Sequence, residues 1–464
     1  MRINVILNCT EAVKTKAKYA FEVLFSPMRV SLCFSEGIKE DSLNISYQAY
    51  PPENKAIFYL EEAKPFSIHL AMKTIPDATE IQWVNFSGKR LPAFFKTTDD
   101  IGFDIAASTF FLTSNYQDLV SFDRDSFDRQ KSSESLQKVI GVLQIPVVNY
   151  YSLLLKDRLE RFYGMEIEWK KYSGKDRAIA LTHDVDYTSS LNPKIIKREI
   201  VGNGFLNKQH LAGTDRLFKM LLPFMALVGY DPPRNGLRFF KEIEDKYKVH
   251  STFFFKTGTT DKWDVNYPIE KGFIKNFTDS LLKDGFEIGL HPSMKTYIDI
   301  NQMKREKERL ENVIKTTVSS VRQHYLKFTA SITPSIWQKA GLTVDSTLGF
   351  PYDVGFRNSV AFPFPIYDFS SDGTSNVTEI PLVIMDGALK SGHKRGSEQI
   401  LSEIESLLRE IAAAQGSAAL LFHNSINDPV EFKGFPQIYE QVIKFLLHED
   451  FFIGSLSELA DSFR

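Results

Sequence analysis

Two aspartates that could bind a cation follow a short apolar run. Residues 178–186 read AIALTHDVD, so the run ends in His183, Asp184 and Asp186. An apolar run of this length predicts a strand buried on both faces. Because alternate strand residues project to the same side, Asp184 and Asp186 share a face and His183 points the other way. Buried charge is costly without a partner, so the two acids could hold a cation beside a base. The alternative is a solvated, Asp-rich turn.

Other predicted strands end in side chains that bind metals or transfer protons. They are His291, Arg322, His324, Asp345 and His423. With His183, four of the nine histidines lie at strand ends. The carboxyl ends of parallel strands meet at one mouth, so we expect a shared site there rather than unrelated polar ends.

Asp and neutral imidazole together suit zinc or another first-row divalent metal. A carboxylate base and a protonating histidine beside such a metal suit hydrolysis of an amide or an ester.

From residue 175 onward, predicted strands alternate with predicted helices, which is typical of a parallel sheet or barrel. The strands are predicted at 178–182, 249–255, 286–290, 319–323, 342–344, 378–382 and 418–422, with a short run at 451–453. Helical patterns between them include 237–246, 269–283, 302–314 and 398–414. The exception is 187–233, a long insertion at the end of a barrel strand where substrate sites are usually shaped.

The first 150 residues differ in pattern from the rest. The 464-residue length favours two domains. Strand-like runs occur at 44–50, 56–60 and 81–86, and a helix is predicted at 104–114. His69 is the only histidine in this part and has no evident chemical partner. We therefore expect a smaller α+β domain at 1–150 and a β/α barrel domain at 175–464.

Composition excludes several classes of protein. A net charge of -2 gives no general attraction to nucleic acid or to an anionic membrane. Cys9 and Cys33 do not form a disulfide framework. The N-terminal residues do not resemble a signal peptide, and no stretch reaches the roughly 20 apolar residues of a membrane span. A cytoplasmic protein without stable membrane insertion is the default expectation.

Five segments resemble, in order, the motifs of the polysaccharide deacetylase (NodB-like, carbohydrate esterase) family. They are LTHDVD at 181–186, STFFF at 251–255, EIGLHPS at 287–293, RQH at 322–324 and LFH at 421–423. The resemblance covers roughly residues 175–464. It implies an α/β fold, a distorted (β/α)7 barrel, and metal-dependent removal of N-acetyl or O-acetyl groups from sugars. The N-terminal half is similar to a poorly characterised domain that precedes this domain in some bacterial proteins.

The resemblance also implies roles for individual residues. Asp184 matches the general base, and Arg322 the arginine that orients it. His423 matches the general acid, and Asp345 stands where the family has an acid that tunes this histidine. The alternative for Asp345 is a cap of the following turn. His291 matches the first metal-binding histidine.

The sequence departs from the family at two metal positions. Val185 stands where the family has a metal-binding aspartate, and Lys295 where it has a second histidine. On positional grounds, Asp186 and His324 are expected to replace them as ligands. The alternative for His324 is a helix cap or a hydrogen bond to another ligand.

The sequence thus favours a divalent-metal deacetylase, with zinc the first choice, acting on an acetylated sugar or glycan precursor. Arg357, in a loop with Gly355 and several prolines, is a candidate anchor for an anionic substrate group; the alternative is a surface arginine. Two other functions stay open. One is a different amide C–N hydrolase on the same scaffold. The other, favoured by Val185 and Lys295, is a glycan-binding or scaffolding protein that has lost its metal. The oligomeric state is not indicated.

Overall fold

The computed structural model describes residues 1–121, 123–201, 213–391 and 396–463. The strands in these ranges are β1 (Arg2–Asn8), β2 (Ser31–Ser35), β3 (Leu43–Gln48), β4 (Phe58–Glu61), β5 (Ile81–Phe86), β6 (Lys89–Phe94), β7 (Ala178–Val185), β8 (Thr252–Phe255), β9 (Glu287–Leu290), β10 (Ser320–Val321), β11 (Val344–Asp345), β12 (Phe364–Asp368), β13 (Gly373–Glu379), β14 (Leu382–Met385), β15 (Ser417–Leu421) and β16 (Phe452–Gly454). The α-helices are α1 (Glu11–Phe25), α2 (Lys64–Met72), α3 (Ile105–Thr113), α4 (Tyr116–Val120), α5 (Leu136–Val139), α6 (Val147–Tyr163), α7 (Pro193–Lys197), α8 (Gly213–Leu227), α9 (Pro232–Tyr247), α10 (Gly272–Lys283), α11 (Ile300–Ile314), α12 (Thr333–Lys339), α13 (Asp386–Ser391), α14 (Ser397–Ala413), α15 (Phe435–His448) and α16 (Leu456–Asp461).

The N-terminal half is a mixed unit of helices and strands, as predicted. Its main sheet is parallel, with the order β2-β1-β3-β4, and α1 connects β1 to β2. Strands β5 and β6 form a separate antiparallel hairpin. The buried carboxylate of Asp104 accepts a hydrogen bond from the backbone N–H of Ala107 at 2.9 Å and so begins α3.

The second half is a closed, distorted barrel, which confirms the predicted fold class. Parallel pairing runs through β13, β11, β10, β9, β8, β7, β15 and β14. Only Ile380 and Pro381 separate β13 from β14. This single stretch of chain pairs with β11 through its first half and with β15 through its second half. Strands β13 and β14 therefore count as one strand of the barrel. Together with β7, β8, β9, β10, β11 and β15 they give seven strands.

Amphipathic helices cover the outside of the barrel. Along α14 the buried residues Ile400, Ile404, Leu408 and Ile411 recur at helical spacing and face the sheet. The helices predicted at 237–246, 269–283, 302–314 and 398–414 occur as α9, α10, α11 and α14. Apolar side chains form the core of the barrel half. The polar side chains considered below lie at the ends of its strands.

The two halves share packed surface. The apolar core of the N-terminal half includes Val360, Phe362 and Phe364, which precede or begin β12. Asn149 on α6 donates to the carbonyl of Ala361 at 3.0 Å and accepts from its N–H at 2.8 Å. The boundaries 1–150 and 175–464 stay a prediction.

The insertion after β7 contains α7 and α8, and its residues 202–212 lie outside the described residues. Across the described ranges, every helix is too short or too polar to cross a bilayer.

Candidate active site

Side chains that follow neighbouring barrel strands meet at the mouth. Asp186 follows β7, His291 follows β9, and His324 lies just beyond β10. Oδ1 of Asp186 lies 3.3 Å from Nε2 of His291 and 3.3 Å from Nε2 of His324. The three ligand atoms lie within 4.8 Å of one another, which suits coordination of a single metal ion.

Each of these histidines is oriented by a hydrogen bond from its other ring nitrogen. Nδ1 of His291 donates to the carbonyl of Arg322 at 2.6 Å, and Nδ1 of His324 donates to Oδ1 of Asp264 at 2.7 Å. Both acceptors lack a proton to give, so each Nε2 lone pair is directed at Asp186. Burial lowers the pKa of His291, which favours the neutral form that metals bind. The donor set therefore fits a divalent cation.

Asp264, which orients His324, was not found from the sequence. Its Oδ2 accepts from the backbone N–H groups of Thr260 at 2.8 Å and Asp261 at 2.9 Å. Burial opposes ionisation of this carboxyl, but His324 and these hydrogen bonds prevail and lower its pKa to about 2. Asp264 lies in a loop after β8, and no spacing in the sequence links it to His324.

A buried lysine, Lys256, adjoins Asp186 and His324. Nζ of Lys256, which directly follows β8, lies 3.1 Å from Nε2 of His324 and 3.7 Å from Oδ1 of Asp186. Burial lowers the pKa of Lys256, although the nearby carboxylates act in the opposite direction. For Asp186, burial opposes ionisation, but the positive charge of Lys256 prevails, so the pKa of Asp186 lies well below the usual range. Lys256 was missed because a lysine at a strand end is usually solvated.

Asp184 lies beside the ligand atoms and faces an arginine. Its Oδ2 is 3.8 Å from Nε2 of His291, and its Oδ1 is 3.8 Å from Nη1 of Arg322. Arg322 is fully buried and donates to Oγ of Ser346 at 2.9 Å, so it faces Asp184 as an ion pair. Oδ1 of Asp184 is buried without a hydrogen-bond partner. A buried carboxylate oxygen that accepts no hydrogen bond is suited to take a proton from a substrate or water.

His423, after β15, enters the same site with its own carboxylate. Its Nδ1 donates to Oδ1 of Asp386 at 2.6 Å, and its Nε2 lies 3.8 Å from Oδ2 of Asp186. Burial opposes the charged imidazole, but attraction by Asp386 and Asp186 prevails and raises the pKa of His423 to about 10. The protonated ring can donate from Nε2 toward the mouth. Asp386 directly follows β14, and that strand-end position was its only sequence signal.

The expected role of Asp345 is corrected by these contacts. Asp386, rather than Asp345, is the carboxylate bound to His423. Asp345 instead accepts from the N–H of Thr347 at 3.1 Å and caps the following turn, the alternative given above. Burial raises the pKa of Asp345, and burial together with the adjacent Asp345 raises the pKa of Glu379 well above its usual range.

Arg357, the predicted anchor for an anionic substrate group, is buried and is not among the residues that line the mouth. Arg357 is 7% exposed, its Nη2 lies 3.7 Å from Oδ1 of Asp118, and its guanidinium packs over Phe350. The arginine that lines the mouth is Arg129, from the N-terminal half. The sequence could not reveal this because Asp118 and Arg129 reach the barrel only through tertiary packing.

The mouth encloses a cavity of about 180 Å³. It is lined by Arg129, Asp184, Asp186, His291, His324, Tyr325, Leu326, Pro351, Met385 and His423. Lys295 stays away from it: its side chain is 60% exposed and its Nζ lies 3.1 Å from Oδ2 of Asp261. His324, rather than Lys295, lies beside Asp186 and His291.

His183 lies on the other side of β7, as the alternation predicts. It is fully buried, and its ring nitrogens lie 2.7 Å from Oε1 of Glu244 and 3.0 Å from the carbonyl of Phe422. Ser251 Oγ also donates to Glu244, at 2.6 Å. Both ring nitrogens of His183 therefore have hydrogen-bond partners inside the protein, and this residue packs within the barrel half, away from the mouth.

One family model matches the N-terminal part of the chain. Residues 6–164 match the model of a family of unknown function, DUF7033. A comparison with curated proteins gives no significant match.

Solved structures resemble the chain at low identity. A protein of Mycobacterium smegmatis assigned to the polysaccharide deacetylases is 18% identical, with a TM-score of 0.40 and coverage of 62% of this chain and 90% of its own. The allantoinase Puue is 12% identical, with a TM-score of 0.40 and coverage of 62% and 90%. The peptidoglycan deacetylase PdaC from Bacillus subtilis is 13% identical, with a TM-score of 0.32 and coverage of 61% and 90%. These similarities assign no activity to the chain.

Proposed function

We propose that this protein is a metal-dependent hydrolase that removes an acetyl group from an N-acetylated or O-acetylated sugar or glycan precursor. The observation that carries the proposal is the convergence of Asp186, His291 and His324 on one point. Asp184 and His423 each lie 3.8 Å from one of these ligands. The ordered motifs of the barrel half support acetylated sugars as the substrate class.

The three ligands would hold a divalent cation, with zinc the first choice because carboxylate and imidazole donors suit it. When bound, such an ion acidifies water and polarises a carbonyl group. The hydrogen bonds from His291 to the Arg322 carbonyl and from His324 to Asp264 keep both Nε2 atoms available for it.

The remaining groups supply proton transfer. Asp184 takes a proton from the attacking water through Oδ1, which accepts no hydrogen bond in the structure and lies 3.8 Å from Nη1 of Arg322. His423, held by Asp386, gives its Nε2 proton to the departing amine or alcohol. This division needs one base and one acid on different strands, and β7 and β15 provide them.

The shape of the mouth supports a sugar with a small acyl group. A cavity of about 180 Å³ accommodates an acetyl group with part of a ring. Two exposed aromatic side chains contact the loop that carries Arg129: Tyr352, which is 56% exposed, accepts a hydrogen bond from Arg129, and the ring of Trp263, which is 48% exposed, packs edge-on against that of Phe127. Flat aromatic surfaces with a polar edge can pack against sugar rings and bind their hydroxyls.

The test is metal content and acetate release measured on the same preparations. Asp186→Ala, His291→Ala and His324→Ala should each lose most of the bound metal. Lys295→Ala is the matched control, because Lys295 occupies the family's ligand position in sequence but is exposed and bound to Asp261. Acetate release from a panel of N-acetylated and O-acetylated sugars should fall with metal content.

Asp184→Asn and His423→Ala should keep their metal while acetate release falls by about 10²- to 10⁴-fold. Metal that stays bound in the three ligand variants would refute the site. Metal binding without acetate release from any sugar in the panel would refute the substrate class and favour another amide hydrolase.

Lys256 favours a second candidate, a glycan-binding protein that uses no metal. Its Nζ already supplies a positive group 3.1 Å from Nε2 of His324. A protein of this kind would bind glycans with the same affinity before and after chelator treatment, and would release no acetate. The metal-content measurement separates the two functions.

A further inference from the structure

The turn that carries His324 has an unusual backbone. Tyr325 and Leu326 have φ values of 60° and 52°, in the left-handed region that non-glycine residues rarely adopt. Two consecutive residues of this kind persist only where the surroundings hold them. His324 is therefore attached to a segment that would relax without external contacts.

A loop of the N-terminal half, residues 123–131, provides those contacts. Arg129 Nη1 donates to the carbonyl of Tyr325 at 2.9 Å. The ring of Phe127 stacks on the ring of Tyr325, with centroids 4.7 Å apart and planes 19° from parallel. Lys327 Nζ, just beyond the turn, donates to the carbonyl of Phe127 at 2.6 Å. The loop thus contacts the turn at three points: the backbone of Tyr325, the ring of Tyr325 and the side chain of Lys327.

The loop is itself held in one conformation. The carboxylate of Asp125 accepts from the N–H groups of Phe127 at 2.8 Å and Arg129 at 3.0 Å, and from Nε of Arg129 at 2.8 Å. The backbones of Arg124 and Gln130 pair as a β-bridge. Arg129 is 6% exposed, so its guanidinium is directed by these contacts and not by solvent.

We propose that the 123–131 loop is a positioning element of the barrel's active site, which holds the turn 324–327 so that His324 faces Asp186. The loop belongs to the region similar to the family of unknown function, so this gives the N-terminal half a role in the site. The inference rests on the proposed function only in taking His324 as a metal ligand; the positioning of the turn can be measured without metal.

The experiment compares the full-length wild type with Arg129→Ala and Phe127→Ala. Lys131→Ala is the matched control for charge, because Lys131 lies at the end of the same loop and its Nζ pairs with Asp123 at 2.6 Å. The first readout is amide hydrogen exchange in the peptide covering 324–327, without metal. The second is the affinity for Co²⁺ together with its visible absorption spectrum, which reports the ligand set. Thermal unfolding shows that each variant is folded.

Both loop variants should exchange faster at 324–327 than the wild type and bind Co²⁺ about 10- to 100-fold more weakly, as expected when a partner that orients a ligand is lost. Arg129→Lys should recover part of the affinity. Lys131→Ala should match the wild type in both readouts.

Unchanged exchange in both loop variants would overturn the inference, as would faster exchange with unchanged Co²⁺ affinity and spectrum. If the wild type binds no metal at all, the proposed hydrolase fails. In that case, faster exchange confined to 324–327 would still support the positioning role, and unchanged exchange would overturn it.

Discussion

Replacing Lys256 by methionine should strengthen metal binding. Lys256 Nζ lies 3.1 Å from Nε2 of His324, whose Nδ1 proton is already donated to Asp264. The ammonium therefore donates to the same lone pair that a metal ion would need. Methionine has a similar length and no charge, so Lys256→Met removes the competitor and leaves the buried space filled.

The expected gain in metal affinity follows from two free-energy terms, the repulsion between the ammonium and the metal and the lost hydrogen bond to His324. An ammonium about 4 Å from a dication would be repelled by about 8 kcal/mol at an effective dielectric constant of about 20, so the lysine must move away when metal binds. In the wild type, the free energy of metal binding is then reduced by the loss of the hydrogen bond from Lys256 to His324. A hydrogen bond of a charged group contributes about 1.5–3 kcal/mol. The affinity of Lys256→Met for Zn²⁺ or Co²⁺ should therefore exceed that of the wild type by about 10- to 150-fold.

The assay is competition for the metal against a chromophoric chelator at constant pH. Lys256→Arg keeps the charge and should bind no more tightly than the wild type. Lys295→Met removes a charge from an exposed side chain and should leave the affinity unchanged. Equal or weaker binding by Lys256→Met, with an unaltered unfolding transition, would refute the competition argument.

Three further changes should have measurable effects. Asp386→Asn should lower kcat for acetate release by about 10²- to 10⁴-fold with little change in metal content, because His423 loses the carboxylate that keeps it protonated; an unchanged kcat would remove Asp386 from the reaction. Removal of metal with a chelator should abolish acetate release and readdition should restore it, and activity that survives dialysis against chelator would count against the proposal. Burial raises the pKa of Asp104 from 3.8 to about 7. The folded state then retains a proton that the unfolded chain loses, so stability should fall by about 4 kcal/mol as pH rises from about 4 to 7. Asp104→Asn should abolish most of this slope in urea unfolding, and an equal slope in both proteins would contradict the assignment.

The strand-end histidines and aspartates could be placed from the sequence because their positions follow from the regularity of a parallel barrel. Period-two alternation puts Asp184 and Asp186 on one face of β7 and turns His183 away. Pairing of β9 with β10 then brings His291 and His324 to adjacent strand ends. These arguments need only local patterns and strand order.

Residues contributed by loops could not be found in this way. Asp264 and Arg129 reach the site through loops whose course is set by tertiary packing, and nothing in their spacing connects them to the histidines. Asp386 directly follows β14, but its spacing does not identify His423 as its partner. The burial of Arg357 could not be predicted for the same reason, because its partner, Asp118, comes from the other half of the chain. Lys256 had a positional signal, since it directly follows β8, but a lysine at a strand end is usually exposed to solvent.

The charges around the three ligands explain why Lys256 and a metal should exclude each other. Three carboxylates, Asp184, Asp186 and Asp264, face the two cations Lys256 and Arg322, which leaves the metal-free cluster with one uncompensated negative charge. His423, after β15, and Asp386 form a pair with no net charge, which does not alter this balance. Adding a dication while the ammonium stays would give the cluster a net charge of about +1, whereas exchanging one for the other gives neutrality. Because uncompensated buried charge is unfavourable, the exchange is the arrangement that this donor set should prefer.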